Sequence, residues 1–417
     1  VEAVAVAKFG GTSVKSIARI QHVAEIVKNM PQRKRVIVVS AMGDTTDHLL
    51  SLAKQCSEFP DQRELDVLMS TGEQVSIALL SLTLCAMGIK ARSFTGAQIG
   101  LLTDDHHTSA RILEIDRDFL AAALVENDVV IVAGFQGVNT AGDITTLGRG
   151  GSDTSAVALA VACAAPLCEI YTDVDGICSA DPNIVPDASA LSQLTYTEAL
   201  ELARNGAQVI HPRAVELAQQ YGIAIRVRNT FNPAEQGTLL DGEETMEKYD
   251  SLSGVSVDRK LACVSLKTAN VAAALDKLTD LIETGQIAAD SIVQNESVVD
   301  GGAVSALSLV LKHDDDRLVL RAVNEIKQAC SALEVIEDLE VAKLSLVGRG
   351  LSGRPRYLAK FLSCLSAAGV DPKHVSCSDF RISCIVNKTD ADRICRHLHS
   401  CFSLGRSGDL RTLAATA

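Results

Sequence analysis

The chain has 417 residues, of which 47% are hydrophobic, too many for one ordinary domain and enough for two or three packed cores. With 39 basic against 52 acidic residues the net charge is −13, which argues against nucleic acid as the main partner, because phosphate contacts need a basic footprint. No apolar run reaches the roughly 18–20 residues of a membrane span, and VEAVAVAKFGG has no basic stretch before an apolar one, so a cytoplasmic protein without membrane partners is expected.

The first half alternates short β-rich runs with helical patterns, as in a mostly parallel α/β sheet. VAVAKF reads as a strand. Ser16 to Asn29 reads as a helix with Ile17, Ile20, Val23, Ala24 and Val27 on one face. RVIVVS (35–40), DVVIVA (128–133) and EIYT (169–172) are further strands. In such sheets ligands gather at the C-terminal strand edge. Residues 232–254 turn polar, acidic and rich in Gly and Pro, and read as a linker. Beyond it, LACVSLK with its following helix, and AKLSLVG with RYLAKFLSCLSAAG, each open a strand–loop–helix–strand–strand–helix run, a βαββαβ unit written twice. The divisions drawn are 1–245, 253–335, 336–406 and a tail, 407–417.

Four segments carry chemistry. Lys8-Phe9-Gly10-Gly11-Thr12-Ser13 lies where strand becomes helix, so glycine backbone and a helix N-terminus can receive a phosphate, with Lys8 reaching its oxygens; a plain turn with a surface Lys is the other reading. TTLGRGGSDTS (145–155) precedes an apolar helix. Ser152, Asp153 or Thr154 could cap that helix, but glycines flanking Arg149 point to a loop that wraps a carboxylate or phosphate. Thr172-Asp173-Val174-Asp175-Gly176, followed by Asp181-Pro182, fits an Asx-turn or a nucleotide-edge loop. Ser70-Thr71-Gly72-Glu73 reads as a capping box, or as a site for an ammonium group.

Two other patterns are weaker. Gly348-Arg349-Gly350-Leu351-Ser352-Gly353 matches GxGxxG, but too little chain follows for a dinucleotide fold, so it reads as the loop of the second small repeat. Cys395, His397, His399 and Cys401 are the tightest Cys/His group. Ligands at every second residue reach one zinc only from a strand, and TDADRICRHLHSCF has a helical pattern, so no metal site is expected.

Taken together, KFGGTSV (8–14), VVSAMGDTTD (38–47), STGEQVSIALL (70–80), TTLGRGGSDTSAVALA (145–160), YTDVDGI (171–177) and LARNGAQVIHPRAVELA (202–218) resemble the aspartate kinases of the amino-acid kinase superfamily. SIVQNES (291–297) and HVSCSDFRISCIV (374–386) resemble their paired ACT domains. The resemblance implies a three-layer αβα kinase domain followed by two ferredoxin-like βαββαβ ACT domains. It implies ATP and Mg²⁺ as cofactors, L-aspartate as substrate, an amino-acid effector at the ACT domains, and a homodimer or higher homo-oligomer. Lys8 and Asp153 become the catalytic pair. Thr46, Glu73, Arg149, Gly150, Gly151 and Ser152 would surround aspartate, with Glu73 on its ammonium and Arg149 on its α-carboxylate. Phe9, Gly10, Gly11, Ser40, Thr172, Asp173, Asp181 and Pro182 would border the nucleotide. Gln294, Asp371 and Pro372 would touch the effector.

Three departures bear on these expectations. Cys178 and Gln208 stand where relatives often carry Tyr and Lys, both facing the nucleotide, so ATP affinity is expected to shift. The loop after LACVSLK is short and lacks the usual Pro-Gly turn. Asp371-Pro372 replaces Asn-Ile: Pro removes a backbone donor and Asp371 would repel an effector carboxylate, so feedback is expected to be weakened or altered.

Overall fold

The computed structural model describes residues 3–207, 209–242, 252–268, 270–284, 287–299, 302–312 and 316–404. Gln208, the boundary at 245 and the 407–417 tail lie outside the described residues. The chain divides into two compact units, Val1–Ser179 with Ala188–Tyr249, and Ala180–Asp187 with Asp250–Ala417.

The first unit opens with β1 (Val4–Phe9), α1 (Ile17–Lys28) and β2 (Lys34–Val39), then α2 (Thr45–Cys56) and α3 (Gln62–Ala86). There follow β3 (Ala91–Phe94), β4 (Leu101–Thr103), β5 (Ile112–Ile115), α4 (Arg117–Glu126), β6 (Val129–Ala133), β7 (Gln136–Val138) and β8 (Ile144–Thr146). α5 (Gly151–Ala162), β9 (Leu167–Thr172), β10 (Gln193–Thr195), α6 (Tyr196–Arg204), α7 (Pro212–Tyr221), β11 (Ala224–Asn229) and β12 (Thr238–Asp241) complete it. The main sheet runs β10-β12-β11-β9-β1-β2-β6-β3. From β11 to β3 all neighbours are parallel, so their C-terminal ends share one edge. A small four-stranded sheet has the order β5-β4-β7-β8.

Strand alternation sorts the core. Ala7, Phe9, Ile37, Val39 and Ile131 pack against Ile20, Val23 and Val27 of α1 and Ile77, Leu80 and Leu84 of α3. The opposite face carries α5, which contacts β1, β2 and β9. The helix expected over 16–29 is α1, with Ser16 capping it by accepting from Arg19 N. Two expectations change. Residues 238–241, placed in the linker, form β12 and pair antiparallel with β11. α3 is long and apolar enough to cross a membrane by length and composition, although the bare sequence suggested no such run; its apolar face belongs to the core above.

The second unit holds β13 (Leu252–Thr268), α8 (Val271–Glu283), β14 (Ala288–Val299), β15 (Gly302–Lys312), α9 (Asp316–Cys330), β16 (Glu334–Gly348), α10 (Pro355–Ala367), β17 (His374–Cys377), β18 (Arg381–Asn387) and α11 (Ala391–Cys401). One six-stranded sheet runs β14-β15-β13-β16-β18-β17. Both repeats lie in it. The back half of β13 pairs with β15 and the front half of β16, giving the first βαββαβ unit. The second supplies only three strands of its own. Its fourth place is filled by residues 252–258, which pair with 343–348 through a register shift after Asp258. The division drawn at 335/336 therefore falls inside β16, and the second small unit takes a strand from ahead of the first. A sheet edge left bare beside β16 would expose backbone groups, and the start of β13 covers it. The GxGxxG match is the loop from β16 into α10, as expected for a small-repeat loop.

Candidate active site

Lys8 precedes Phe9 on β1 and so faces the other way, toward α5. Its Nζ lies 2.6 Å from Asp153 Oδ1, with both side chains about nine-tenths buried (12% and 9% exposed). Asp153 Oδ2 accepts the backbone N–H of His211 at 3.2 Å. One carboxylate thus ties the strand-end ammonium to the start of α7. Burial pushes the His211 imidazole below its ordinary pKa, which favours the neutral ring beside that carboxylate.

Asp153 is placed by the turn before α5. Gly150 is the residue that precedes the helix, with φ +66°, and a Cβ there would come 2.2 Å from the His211 side chain. Only Gly fits that conformation at that distance. Ser152, Asp153 and Thr154 are therefore not caps; they are buried inside the first turn, whose N–H groups favour an anion. Ser155 Oγ accepts Phe135 N at 3.1 Å, fixing the turn to the end of β6. Arg149 sits on this turn and is exposed.

The turn after β1 is stitched to its neighbours. Gly10 N donates to Tyr171 O (3.1 Å), Ser40 N to Phe9 O (3.1 Å), and Gly43 N to Gly11 O (3.0 Å). A Cβ on Gly11 would come 2.9 Å from Ala41 O, so the close approach of the two loops requires glycine. Ser40 and Thr172 follow β2 and end β9, on either side of the Gly10 turn. The Phe9 ring is fully buried and stacks on Tyr171 at 4.6 Å, so only its backbone borders this edge. Thr172 Oγ1 donates to the exposed Asp173 at 3.2 Å. Asp181 and Pro182 are exposed and belong to the second unit, where Asp181 Oδ1 accepts from Asn183 N.

Thr46 is half-buried in the first turn of α2. Ser70 to Glu73 lie inside α3, whose cap is Asp61, so the capping-box reading fails: the helix begins two turns earlier. Glu73 is 2% exposed; Oε1 accepts Ala41 N at 3.0 Å, while Oε2 has no partner among the described residues. Burial raises its pKa from 4.5 to about 7. A buried carboxylate with one oxygen uncommitted, beside the loop that holds Gly11, is ready for a cation.

Asp66, two turns before Glu73 and fully buried, was missed by sequence reasoning. It accepts from His107 Nδ1 (2.7 Å), Thr108 N (3.0 Å) and Thr146 Oγ1 (2.5 Å). Arg213 then donates to Leu147 O (2.5 Å). Thr146 and Leu147, the two residues that lead into the Arg149 turn, are thereby held. The available signal was an acid on the apolar stripe of α3, seven residues before Glu73.

Cys178 is half-buried and bridges to Ala190. Gln294 lies exposed on β14, and Asp371 and Pro372 precede β17. β14 and β17 are opposite edges of the sheet with four strands between them, so the three do not share one pocket within a chain.

An ion-paired lysine at a glycine-lined strand end, facing the N-terminus of a helix, defines a protein that handles phosphorylated or acidic small molecules on an αβα scaffold. The amino acid kinase family model matches residues 3–229, and an ACT domain model matches 344–402. The chain is 42% identical over 405 residues to the aspartokinase of Geobacillus stearothermophilus, covering 96% of this chain and 97% of that one. Its fold is similar to E. coli aspartokinase III in complex with aspartate and ADP (R-state), with TM-score 0.78 and 24% identity over 96% of this chain and 100% of that one. The T-state of that enzyme, in complex with lysine and aspartate, gives TM-score 0.73, again at 24% identity, over 97% of this chain and 100% of that one. The chain belongs to the aspartokinase family.

Proposed function

We propose that this enzyme transfers the γ-phosphoryl group of ATP to the side-chain carboxylate of L-aspartate, giving 4-phospho-L-aspartate, the first step toward lysine, threonine and methionine. The observation that carries the assignment of roles is the Lys8–Asp153 pair, which joins the end of β1 to the first turn of α5. The phosphates of ATP lie against the Gly10–Gly11 turn, between Ser40 and Thr172. Aspartate lies with its ammonium on Glu73 and its α-carboxylate on Arg149, whose planar fork suits a carboxylate. Thr46 and Ser152 border it.

No protein base is needed, because the substrate carboxylate is ionised at neutral pH. One of its oxygens attacks phosphorus in line, the bond to the β,γ-bridging oxygen breaks, and ADP leaves with the electron pair. Lys8 neutralises charge on the transferred group, and Asp153 holds the Lys8 ammonium in place. Mg²⁺ would be held chiefly by the phosphates and water, and the exposed Asp173 at the end of β9 fits its outer shell; bound there, it would neutralise phosphate charge.

The second unit is read as the regulatory part. Because Gln294 lies at one sheet edge and Asp371 and Pro372 at the other, an effector site drawing on both needs a second copy of the chain, in keeping with a homodimer. The Asp371 charge and the missing Pro372 N–H weaken capture of an effector carboxylate. Full inhibition by lysine plus threonine in a kinase assay would remove this reading.

A hydroxamate assay with aspartate, with glutamate and without acceptor tests the reaction itself. Signal with aspartate alone is expected, and Lys8→Ala should lower kcat by about 10³-fold. Retained turnover in Lys8→Ala would take Lys8 out of the mechanism.

A further inference from the structure

The Cys/His-rich segment at the end of the chain forms α11, as its pattern predicts, and the helix divides its four residues. Cys395 and His399 are buried with Ile394 and Leu398. His397 and Cys401, four residues apart, share the other face and are half-buried. On that side lies α10, and its buried Cys364 completes a group no sequence spacing announces. The ligand atoms of Cys364, His397 and Cys401 all lie within 4.8 Å of one another.

We propose that these three side chains form a binding site for a thiophilic divalent cation of the zinc class. Two thiolates and one imidazole are a donor set that zinc takes, with the fourth tetrahedral position left to water. The dimensions agree. Zn–S and Zn–N bonds of ordinary length at the tetrahedral angle place sulfur and nitrogen about 3.6 Å apart; Cys401 Sγ and His397 Nε2 are 3.5 Å apart. Little rearrangement is needed on α11, because one helical turn already sets that edge. Burial and the neighbouring Cys401 push the Cys364 thiol up to about 12, while Lys360, one turn earlier on α10, opposes that shift. Metal capture therefore displaces the Cys364 proton, and the bound cation takes over the stabilisation of that thiolate. The ion would clamp α10 to α11, the two helices of the second small unit.

The full-length protein, reduced and stripped with a chelator, is titrated with Zn²⁺ against a chromogenic competitor and separately with Co²⁺. Uptake of one equivalent per chain is expected, and Co²⁺ should show a thiolate charge-transfer band with tetrahedral ligand-field intensity. Cys401→Ser and His397→Gln should each weaken binding by about 100-fold, while Cys85→Ser, an exposed thiol of the first unit, should leave it unchanged. Both test positions are half-buried and circular dichroism checks their fold; Cys364→Ser is the buried third arm. Failure to take up one equivalent, or uptake indifferent to Cys401→Ser and His397→Gln, would overturn the site.

Discussion

Asp66 and Glu73 are two buried carboxylates on one face of α3, and they have opposite surroundings. Asp66 receives a histidine, a backbone N–H and a threonine hydroxyl. Glu73 receives one backbone N–H, and its second oxygen has no partner among the described residues. A carboxylate surrounded by donors serves the fold, because its hydrogen bonds replace lost water. A carboxylate left short of donors carries a desolvation penalty that a cationic ligand can relieve. The same residue class on the same helix thus divides into a support for the Arg149 loop and a receptor for an ammonium group.

Removing Asp66 should break the first half of the comparison most visibly. Asp66→Ala leaves His107, Thr108 N and Thr146 without their acceptor, and the expected loss is about 3–5 kcal/mol. Thermal denaturation should show the first unit melting about 10 °C lower. A variant that melts like the parent but has lost activity would place Asp66 in the chemistry instead. Glu73→Gln should do the reverse. It keeps an acceptor for Ala41 N and removes the buried charge, so above neutral pH the variant should melt no lower than the parent. Its kcat/KM for aspartate should fall about 100-fold, mainly through KM, as a charge-assisted bond is lost. An unchanged KM would show that the ammonium of aspartate lies elsewhere.

How much of this was legible beforehand follows from the range of each interaction. Strand and helix periods are local, so β1, α1, β2 and α11 lie within a residue or two of their expected places. The Gly148–Gly150 turn was legible because Gly148 and Gly150 hold positive φ, and Gly11 because a Cβ there would strike the Ala41 carbonyl. The Asp66 network was not: its partners stand 41, 42 and 80 residues away, and no local pattern marks them. The capping box at Ser70 misled because a capping signal has the same residues as a polar patch inside a longer helix. The strand borrowed from 252–258 was hidden for a related reason, since pairing across the six-stranded sheet joins segments some ninety residues apart. The Cys364 arm was hidden too, because 31 residues separate it from Cys395, where the tight spacing begins.

The smallest predicted effect is a pH dependence. Glu73 has an ordinary pKa of 4.5 when exposed and about 7 when buried in the fold. Between those values the folded chain keeps a proton that the unfolded chain has released. Its contribution to stability is therefore complete below pH 4.5 and declines as pH rises to about 7. Substrate binding has the opposite sign, since an ammonium group needs the ionised carboxylate. At low aspartate, kcat/KM should fall roughly 10-fold for each pH unit below 7 and level off above it. Bound aspartate should draw the apparent pKa down, so kcat at saturating aspartate should titrate at lower pH than kcat/KM. In Glu73→Gln the limb near pH 7 should vanish while other ionisations remain. If the variant keeps that limb, the titrating group is another residue, and the contrast between the two carboxylates of α3 loses its functional half.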